Sequence, residues 1–496
     1  MCNVLVSVIC VLLSLCLYKW YRNYKYLQQF DWLPPKPGWP IIGNSLEFKD
    51  LTDVLSTLIK LIPKKEKMIL LKIAGVPNLM VADYDFTEFI LSNPNILHKS
   101  ADYKFYRKWL GTGLLIGGGS KWKSRRRIIA PSFNFSILEN FLEVFDSNGN
   151  IFINKLKKHI DEDKINIDRF ITLYTLDVIC ETAMGVKVNA QINENSQYVQ
   201  NVQLMCKIGM IRATSIIKKS NLLYPLTPDY YRELRAIKQL HDVTDAVIEE
   251  RSLTCSTDED KEDLNEYGLK KKMAFLDLLL NTRVDGQPLS HEDIREEVDT
   301  FMFAGHDTTA SAISFCVYFL SENPDVQEQA MEEQKAIFGD DINRKSTLND
   351  LQMMKYLECV IKETLRLCPS VPLYGRQLRE DVYYKGNLLP KGLDIYIFPY
   401  GMHRDTDYYP DPEKFDPTRF ENLDGKRPYK FVPFSLGPRN CVGQKFAMLE
   451  MKSIVSKLLR NFEILPTIPK HTLHFVSETV LKSTNGVRIR LKTRKW

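Results

Sequence analysis

Residues 434–443 read Phe-Ser-Leu-Gly-Pro-Arg-Asn-Cys-Val-Gly, and their types and order suit the presentation of a thiolate. Gly437 and Pro438 favour a tight turn, and Gly443 lets the backbone close on a flat, bulky ligand. Cys441 stands just before a helix predicted to run to about Asn461. The free N–H groups at a helix start favour a thiolate over a thiol. Phe434 would pack beside whatever the sulfur holds. A lone cysteine is more often a small buried hydrophobe, but the pattern F-x-x-G-x-x-x-C-x-G reads as a metal-ligand loop. The chain has ten cysteines and no C-x-x-C pair. That is too sparse for a disulfide framework and implies a reducing compartment.

Other residues with chemical potential lie on predicted helices. Ser290 followed by Asp293 resembles a capping box, opening a helix that runs to about Glu322, before Asn323-Pro324. At 1.5 Å per residue this helix would be roughly 50 Å long, enough to cross a large domain. It carries Ala304-Gly305-His306-Asp307-Thr308-Thr309. Ala304 and Gly305 are small and leave room beside the helix. Thr308 can turn its hydroxyl to its own helix's carbonyls and loosen the local ladder. Asp307 and Thr308 together could then relay protons, although a helical Thr beside an exposed Asp is a common, inert arrangement. His306 reads as a polar core contact. Trp122 and Arg126 fall on one helix face, and an indole N–H and a guanidinium can both donate to a carboxylate. Glu363 and Arg366 stand at i, i+3, close enough to pair, and as an exposed pair they would contribute little.

In their order along the chain, Trp122-x-x-x-Arg126, Ala304–Thr309, Glu363-x-x-Arg366, Asp416-Pro417-Thr418-Arg419-Phe420 and the cysteine loop resemble the cytochrome P450 superfamily. The resemblance covers the chain from about residue 33 to its end. It implies a mainly α fold with minor β sheets, formed as a single large haem-binding domain behind an N-terminal membrane anchor. It makes Cys441 the thiolate ligand of a haem iron, which pushes electron density onto the metal and favours O–O cleavage. It implies that Trp122, Arg126, Arg439 and Arg376 hold the haem propionates, that Phe434, Gly443 and Ala304 border the haem, and that Asp307 and Thr308 are the proton relay. Glu363, Arg366 and Arg419 are implied as a buried structural set propping the cysteine loop. Lys121, Lys123, Arg125 and Arg127 should point away from the haem, either as a solvated basic face or as a docking patch for an acidic redox partner.

The stretch Glu297–Thr309, with 273–280, His403-Arg404-Asp405 and Pro369–Arg376, is similar to family 4 of the superfamily, the fatty-acid and eicosanoid ω-hydroxylases. One departure matters. Many members carry Glu immediately before the helix Gly and esterify it to a haem methyl, whereas here that position is Ala304. The resemblance therefore implies haem b bound non-covalently, and it weakens any inference of strict ω-specificity. By analogy the substrate pocket involves 103–119, 205–225, Phe301, Met302, Val371–Leu373 and Ser477–Val480, although apolar residues at such places are core by default.

The N-terminus reads as an anchor. Cys2–Leu17 is almost unbroken apolar sequence, followed by Tyr18–Tyr21 and by basic residues on that side only. Such flanks favour a spanning segment with the body of the protein in the cytosol over a cleaved signal peptide. The expected division is a transmembrane anchor over 1–20, a basic and proline-rich hinge over 21–43, and a catalytic domain over 44–496. Strands are predicted around a turn at Gly75-Val76-Pro77-Asn78, helices over most of 120–281, 325–338 and 350–367, and an exposed charged loop at 256–268. No dinucleotide or flavin fingerprint is present. By the resemblance, electrons would come from NADPH–cytochrome P450 reductase, with cytochrome b5 as a second donor, at the endoplasmic reticulum membrane. A net charge of +5 gives no reason to expect nucleic acid. The implied function is monooxygenation of a lipophilic, fatty-acid-like substrate. The alternatives are broad xenobiotic or insecticide oxidation, a peroxide-rearranging isomerase or dehydratase, and a non-catalytic haem or lipid-binding protein.

Overall fold

The computed structural model describes residues 50–194, 196–255, 274–421 and 428–496, with scattered residues of the first 49. The expected anchor over 1–20 and the charged stretch 256–268 lie largely or wholly outside these. Among the described residues no helix is long and apolar enough to cross a membrane.

Helices dominate. Those used below are α1 (Tyr84–Ser92), α2 (Gly119–Ile129), α3 (Leu142–Leu156), α4 (Ile167–Ile179), α5 (Gln197–Thr214), α6 (Pro228–Cys255), α7 (His291–Glu322), α8 (Pro324–Phe338), α9 (Lys355–Leu367) and α10 (Gln444–Asn461). The long helix α7 begins as the sequence predicts. The Asp293 N–H donates to Ser290 Oγ at 3.1 Å, and that hydroxyl donates to the Asp293 carboxylate at 3.0 Å. Its middle is buried except at Ala304, Gly305 and Thr308, so α7 runs through the core with other helices packed around it. Gly305 allows a close approach: an added Cβ would lie 2.6 Å from Ile179 of α4. The gap left by the missing side chain is therefore filled largely by a neighbouring helix.

The main sheet pairs β1 (Met68–Ile73), β2 (Val76–Val81), β4 (Asp394–Ile397) and β3 (Tyr374–Gln377) in that spatial order, with only β2 and β4 parallel. The β1–β2 turn is not at Gly75–Asn78 as predicted. It is formed by Ala74 and Gly75, with φ of 49° and 79°, the two-residue turn whose twist suits a hairpin. Pro77 sits inside β2 but before its pairing with β4 begins at Asn78, so its missing N–H removes no bond to that neighbour. A second hairpin, β5 (Phe475–Ser477) and β6 (Leu481–Ser483), turns through Glu478, Thr479 and Val480. The hinge doubles back on itself: Trp39 and Gly43 exchange backbone hydrogen bonds, and Gly43 bridges to Ile73 of β1.

Candidate active site

A cavity of ≈ 270 Å³ lies between α7 and the cysteine loop. Cys441, Phe434 and Gly443 form one wall. Ala304, Gly305, Thr308 and Thr309 form the facing one.

The loop that carries Cys441 is shaped by glycine and fixed from behind. Gly437 has φ +72°, and a Cβ there would collide with the Leu91 carbonyl at the end of α1. No other residue type fits without strain. The Cys441 N–H donates to Phe434 O at 2.9 Å, closing the loop, and the Gly443 N–H donates to the sulfur. Behind the loop, the buried Arg366 guanidinium meets Glu363 with two bonds of 2.7 and 2.8 Å. Glu363 also accepts the Asp416 N–H at 2.8 Å and faces Arg419 Nε at 3.5 Å. Arg366 donates to His403 O at 2.8 Å.

His403 completes the link between this set and the loop. Its Nε2 accepts the Val432 N–H at 3.1 Å, so Nδ1 carries the proton and donates to Arg366 O at 3.2 Å. Burial and the neighbouring Arg366 push its pKa down to about 3, which keeps the imidazole neutral in this tautomer. Sequence reasoning had used His403 only as a family marker.

Burial pushes the Cys441 thiol up, against the pull of the Gly443 N–H and the Arg126 guanidinium. The helix start was expected to favour the thiolate. In the structure α10 opens only at Gln444, and the Cys441 side chain is open to the cavity. A metal cation bound there would favour the thiolate.

One end of the cavity gathers positive charge. Lys99, Arg126, Arg376 and Arg439 line it, with Trp122, and no Asp or Glu does among the described residues. Burial pushes all four cations down, Lys99 well below its ordinary value and Arg439 to about 9. Arg439 lies 4.3 Å over the Trp122 ring and donates to the carbonyls of Leu97, Leu114 and Gly117. Arg126 donates to Asn440 O at 3.0 Å and Asn440 Oδ1 at 2.6 Å, fastening α2 to the cysteine loop. Lys99 was not foreseen. A backbone bridge pairs it with Arg376 of β3, a juxtaposition made by sheet pairing between segments far apart in the chain.

The other wall shows what α7 contributes. Thr308 Oγ1 donates to Ala304 O at 2.8 Å, the bond expected from sequence. Asp307 is 1% exposed and is not among the cavity-lining residues; its carboxylate meets Lys482 Nζ at 2.6 Å. His306 is buried, with Nδ1 2.6 Å from Met302 O. Of the expected pocket segments, Tyr103, Leu114, Leu115, Phe301, Val371, Thr479 and Val480 line the cavity, while Met302 and residues 205–225 do not.

The basic face of α2 divides. Arg125, expected to point into solvent, is 6% exposed and pairs with Asp293 at 2.9 Å and Glu297 at 3.8 Å. Lys121 reaches Asp293 and Glu296 at 2.9 and 2.8 Å. Only Lys123 and Arg127 stay exposed.

These residues fit a haem. Four cations around one cavity, of which Arg376 and Arg439 are buried, have no carboxylate beside them and call for an anion, as two propionates would provide. A Cβ added at Gly443 would meet nothing within 4 Å, although its φ of −87° is open to any residue. The free space there faces the cavity. Among the described residues no cluster of three or more His, Cys, Asp or Glu could hold a bare metal ion, so an iron at Cys441 must bring most of its own ligands.

Comparison with known proteins agrees with this chemistry. A family model described as "Cytochrome P450" matches residues 33–488. "Cytochrome P450 4V2" of Homo sapiens is 42% identical over 486 residues, which is 95% of this chain and 92% of that protein. "Cytochrome P450 4d2" of Drosophila melanogaster is 42% identical over 476 residues, 93% of this chain and 94% of that protein. "Cytochrome P450 4V2" of Mus musculus is 43% identical over 466 residues, 92% and 89% of the two chains. A cysteine loop braced from behind, an anion-seeking rim and matches spanning nearly the whole chain lead to one assignment: the chain belongs to the cytochrome P450 family, the haem-thiolate monooxygenases.

Proposed function

We propose that this enzyme hydroxylates a fatty-acid-like lipid. One atom of O₂ enters a C–H bond and the other leaves as water, so that RH, O₂, two electrons and two protons give ROH and H₂O. The observation that carries this reading is the apolar cavity held between Cys441 and Thr308, in a chain whose relatives are family 4 members. Haem, when bound, supplies the iron at which dioxygen is activated. Cys441 would ligate it. Lys99, Trp122, Arg126, Arg376 and Arg439 would hold its propionates, with Phe434 and Gly443 against one face and Ala304 against the other. Thr308, its hydroxyl tied to Ala304 O, holds a proton at the cavity wall, and Asp307 is the carboxylate that resupplies it.

The rest of the reading rests on the family resemblance. NADPH–cytochrome P450 reductase delivers the electrons, cytochrome b5 serves as a second donor, and exposed Lys123 and Arg127 contribute to docking. Residues 1–20 anchor the catalytic domain to the endoplasmic reticulum membrane. The haem is haem b held without a covalent tether, because Ala304 offers no carboxylate to esterify.

The ferrous–CO difference spectrum of the native protein, beside Cys441→Ala, is the primary test. A strongly red-shifted Soret band present only in the native protein supports thiolate ligation; an unshifted band in fresh native protein would overturn it. Haem that stays with the protein after acid–organic extraction would contradict non-covalent binding. A spin-state shift on adding dodecanoic acid supports a lipid substrate. A shift only with uncharged drug-like compounds would favour xenobiotic oxidation instead.

A further inference from the structure

Residues 111–117 lie flat against the first half of α7, and two neighbouring carboxylates hold them there. Glu296 accepts the Thr112 N–H at 2.8 Å and the Thr112 hydroxyl at 3.0 Å, and Glu297 accepts the Leu114 N–H at 2.9 Å. Gly113 permits the approach: a Cβ there would lie 2.6 Å from Glu296 O and 2.7 Å from Thr300 Oγ1. On the other side, Leu114 O accepts Arg439 Nη1 at 3.0 Å. Leu114 is thus gripped at both its N–H and its carbonyl. It lines the cavity with Leu115, whereas Glu297 is not among the lining residues.

The charged groups facing Glu297 come from α2 and from α7 itself. Arg125 of α2 brings its Nε to 3.8 Å, but its Nη2 is taken by Asp293 at 2.9 Å. Lys121, also on α2, is engaged by Asp293 and Glu296 at 2.9 and 2.8 Å. Glu296, beside it on α7, carries the like charge. Glu297 is fully buried, and its Oε1 has no hydrogen bond among the described residues. Desolvation pushes this carboxyl up to about 7, against the pull of the Leu114 N–H and Arg125. Its bond to Leu114 is therefore charge-assisted on the alkaline side of neutrality and an ordinary, weaker one on the acid side.

We propose that Glu297 is a positioning residue for ligand selectivity: through the Leu114 peptide it fixes the cavity wall at Leu114 and Leu115, and its ionised form keeps that wall closed to broad ligands. It touches no substrate and passes no proton to one. When the carboxylate is neutral, the grip on Leu114 N–H weakens and the wall yields. When it is ionised, the wall is held and the cavity favours slim chains. This rests on the reading of the cavity as the substrate site.

The test follows ligand binding to the full-length, haem-loaded protein by difference spectroscopy. Pyridine is the slim probe and 4-phenylpyridine the broad one, both essentially uncharged between about pH 6.5 and 8. In the native protein the affinity for 4-phenylpyridine relative to pyridine should rise roughly fivefold as pH falls across this range. Glu297→Gln, which keeps an acceptor of the same shape, should hold the ratio at the native low-pH value throughout. Gly113→Ala lifts the same segment off α7 and should raise the ratio at every pH, and Glu297→Gln should add nothing to it. With dodecanoic acid, reductase and NADPH at the alkaline end, the products of Glu297→Gln should spread over more carbons than those of the native enzyme. A native ratio that ignores pH, a pH dependence that survives in Glu297→Gln, or an unchanged product pattern overturns the proposal. Should Gly113→Ala fail to fold, the pH profiles of native protein and Glu297→Gln carry the decision. The expected pyridine pattern without any oxidation of dodecanoic acid would bring down the lipid reading and leave the role of Glu297 standing.

Discussion

Two sets of cationic side chains flank the cysteine loop and are treated in opposite ways. Behind it, Arg366 is matched by a carboxylate at 2.7 Å and by two backbone carbonyls, and Glu363 is in turn matched by Arg366, Arg419 and a backbone N–H. In front of it, Lys99, Arg126, Arg376 and Arg439 face one cavity that no described Asp or Glu lines. Burying charge is costly in either case. A set whose charges are completed by the protein is architecture, whereas a set left short of an anion is a binding site.

The largest test of this contrast is removal of Glu363. Glu363→Ala leaves a buried guanidinium uncompensated and should cost about 3–5 kcal/mol, read as loss of the folded, CO-binding fraction on expression. Arg376→Met should behave differently. It removes a cation the protein itself does not match, so the fold survives while haem is held less firmly. Transfer of haem to apomyoglobin should then speed up roughly tenfold, the value of one charge-assisted hydrogen bond. If Arg376→Met unfolds the protein as Glu363→Ala does, the distinction between the two sets fails.

Acid should attack the completed set through His403. Its pKa is pushed down to about 3 in the fold, against an ordinary value near 6.5. Above that ordinary value both states are neutral and stability is unaffected. As pH falls from about 6.5 towards 3, the unfolded chain takes up a proton that the fold refuses. Stability then declines by about 1.4 kcal/mol per pH unit from this group. Denaturation midpoints of native protein and His403→Gln across that range measure it; equal slopes would remove His403 from the account.

The smallest effect concerns α2. Arg127→Glu should weaken reductase-supported turnover a few-fold in a salt-dependent way, as a rim charge does. Arg125→Glu should lower stability instead, because Arg125 is an internal tie to Asp293 and Glu297.

Much of the site was legible where it is local. The cysteine loop, the cap of α7, the Thr308 hydroxyl bond and the pairing of Glu363 with Arg366 all follow from residues a turn or two apart. Contributions made by pairing between distant segments were not legible. Lys99 joins the cationic rim through a bridge to β3, Lys482 reaches Asp307 from the β5–β6 hairpin, and His403 reaches the cysteine loop through Val432. Arg125 looked like its basic neighbours because nothing in 121–127 reveals that α7 offers Asp293 and Glu297 opposite it. The β1–β2 turn was misplaced because Pro77 draws attention away from Ala74 and Gly75, which carry the positive φ angles.

The β5–β6 hairpin divides its labour along its length. Leu481, the first residue after its turn, is bound to Ser311 Oγ of α7 and to Ser370 O, and the turn residues Thr479 and Val480 line the cavity. Variation can therefore accumulate in three turn residues while the serine ties beneath them stay in place. A lineage built on this hairpin can change what it oxidises without having to reinvent how it oxidises.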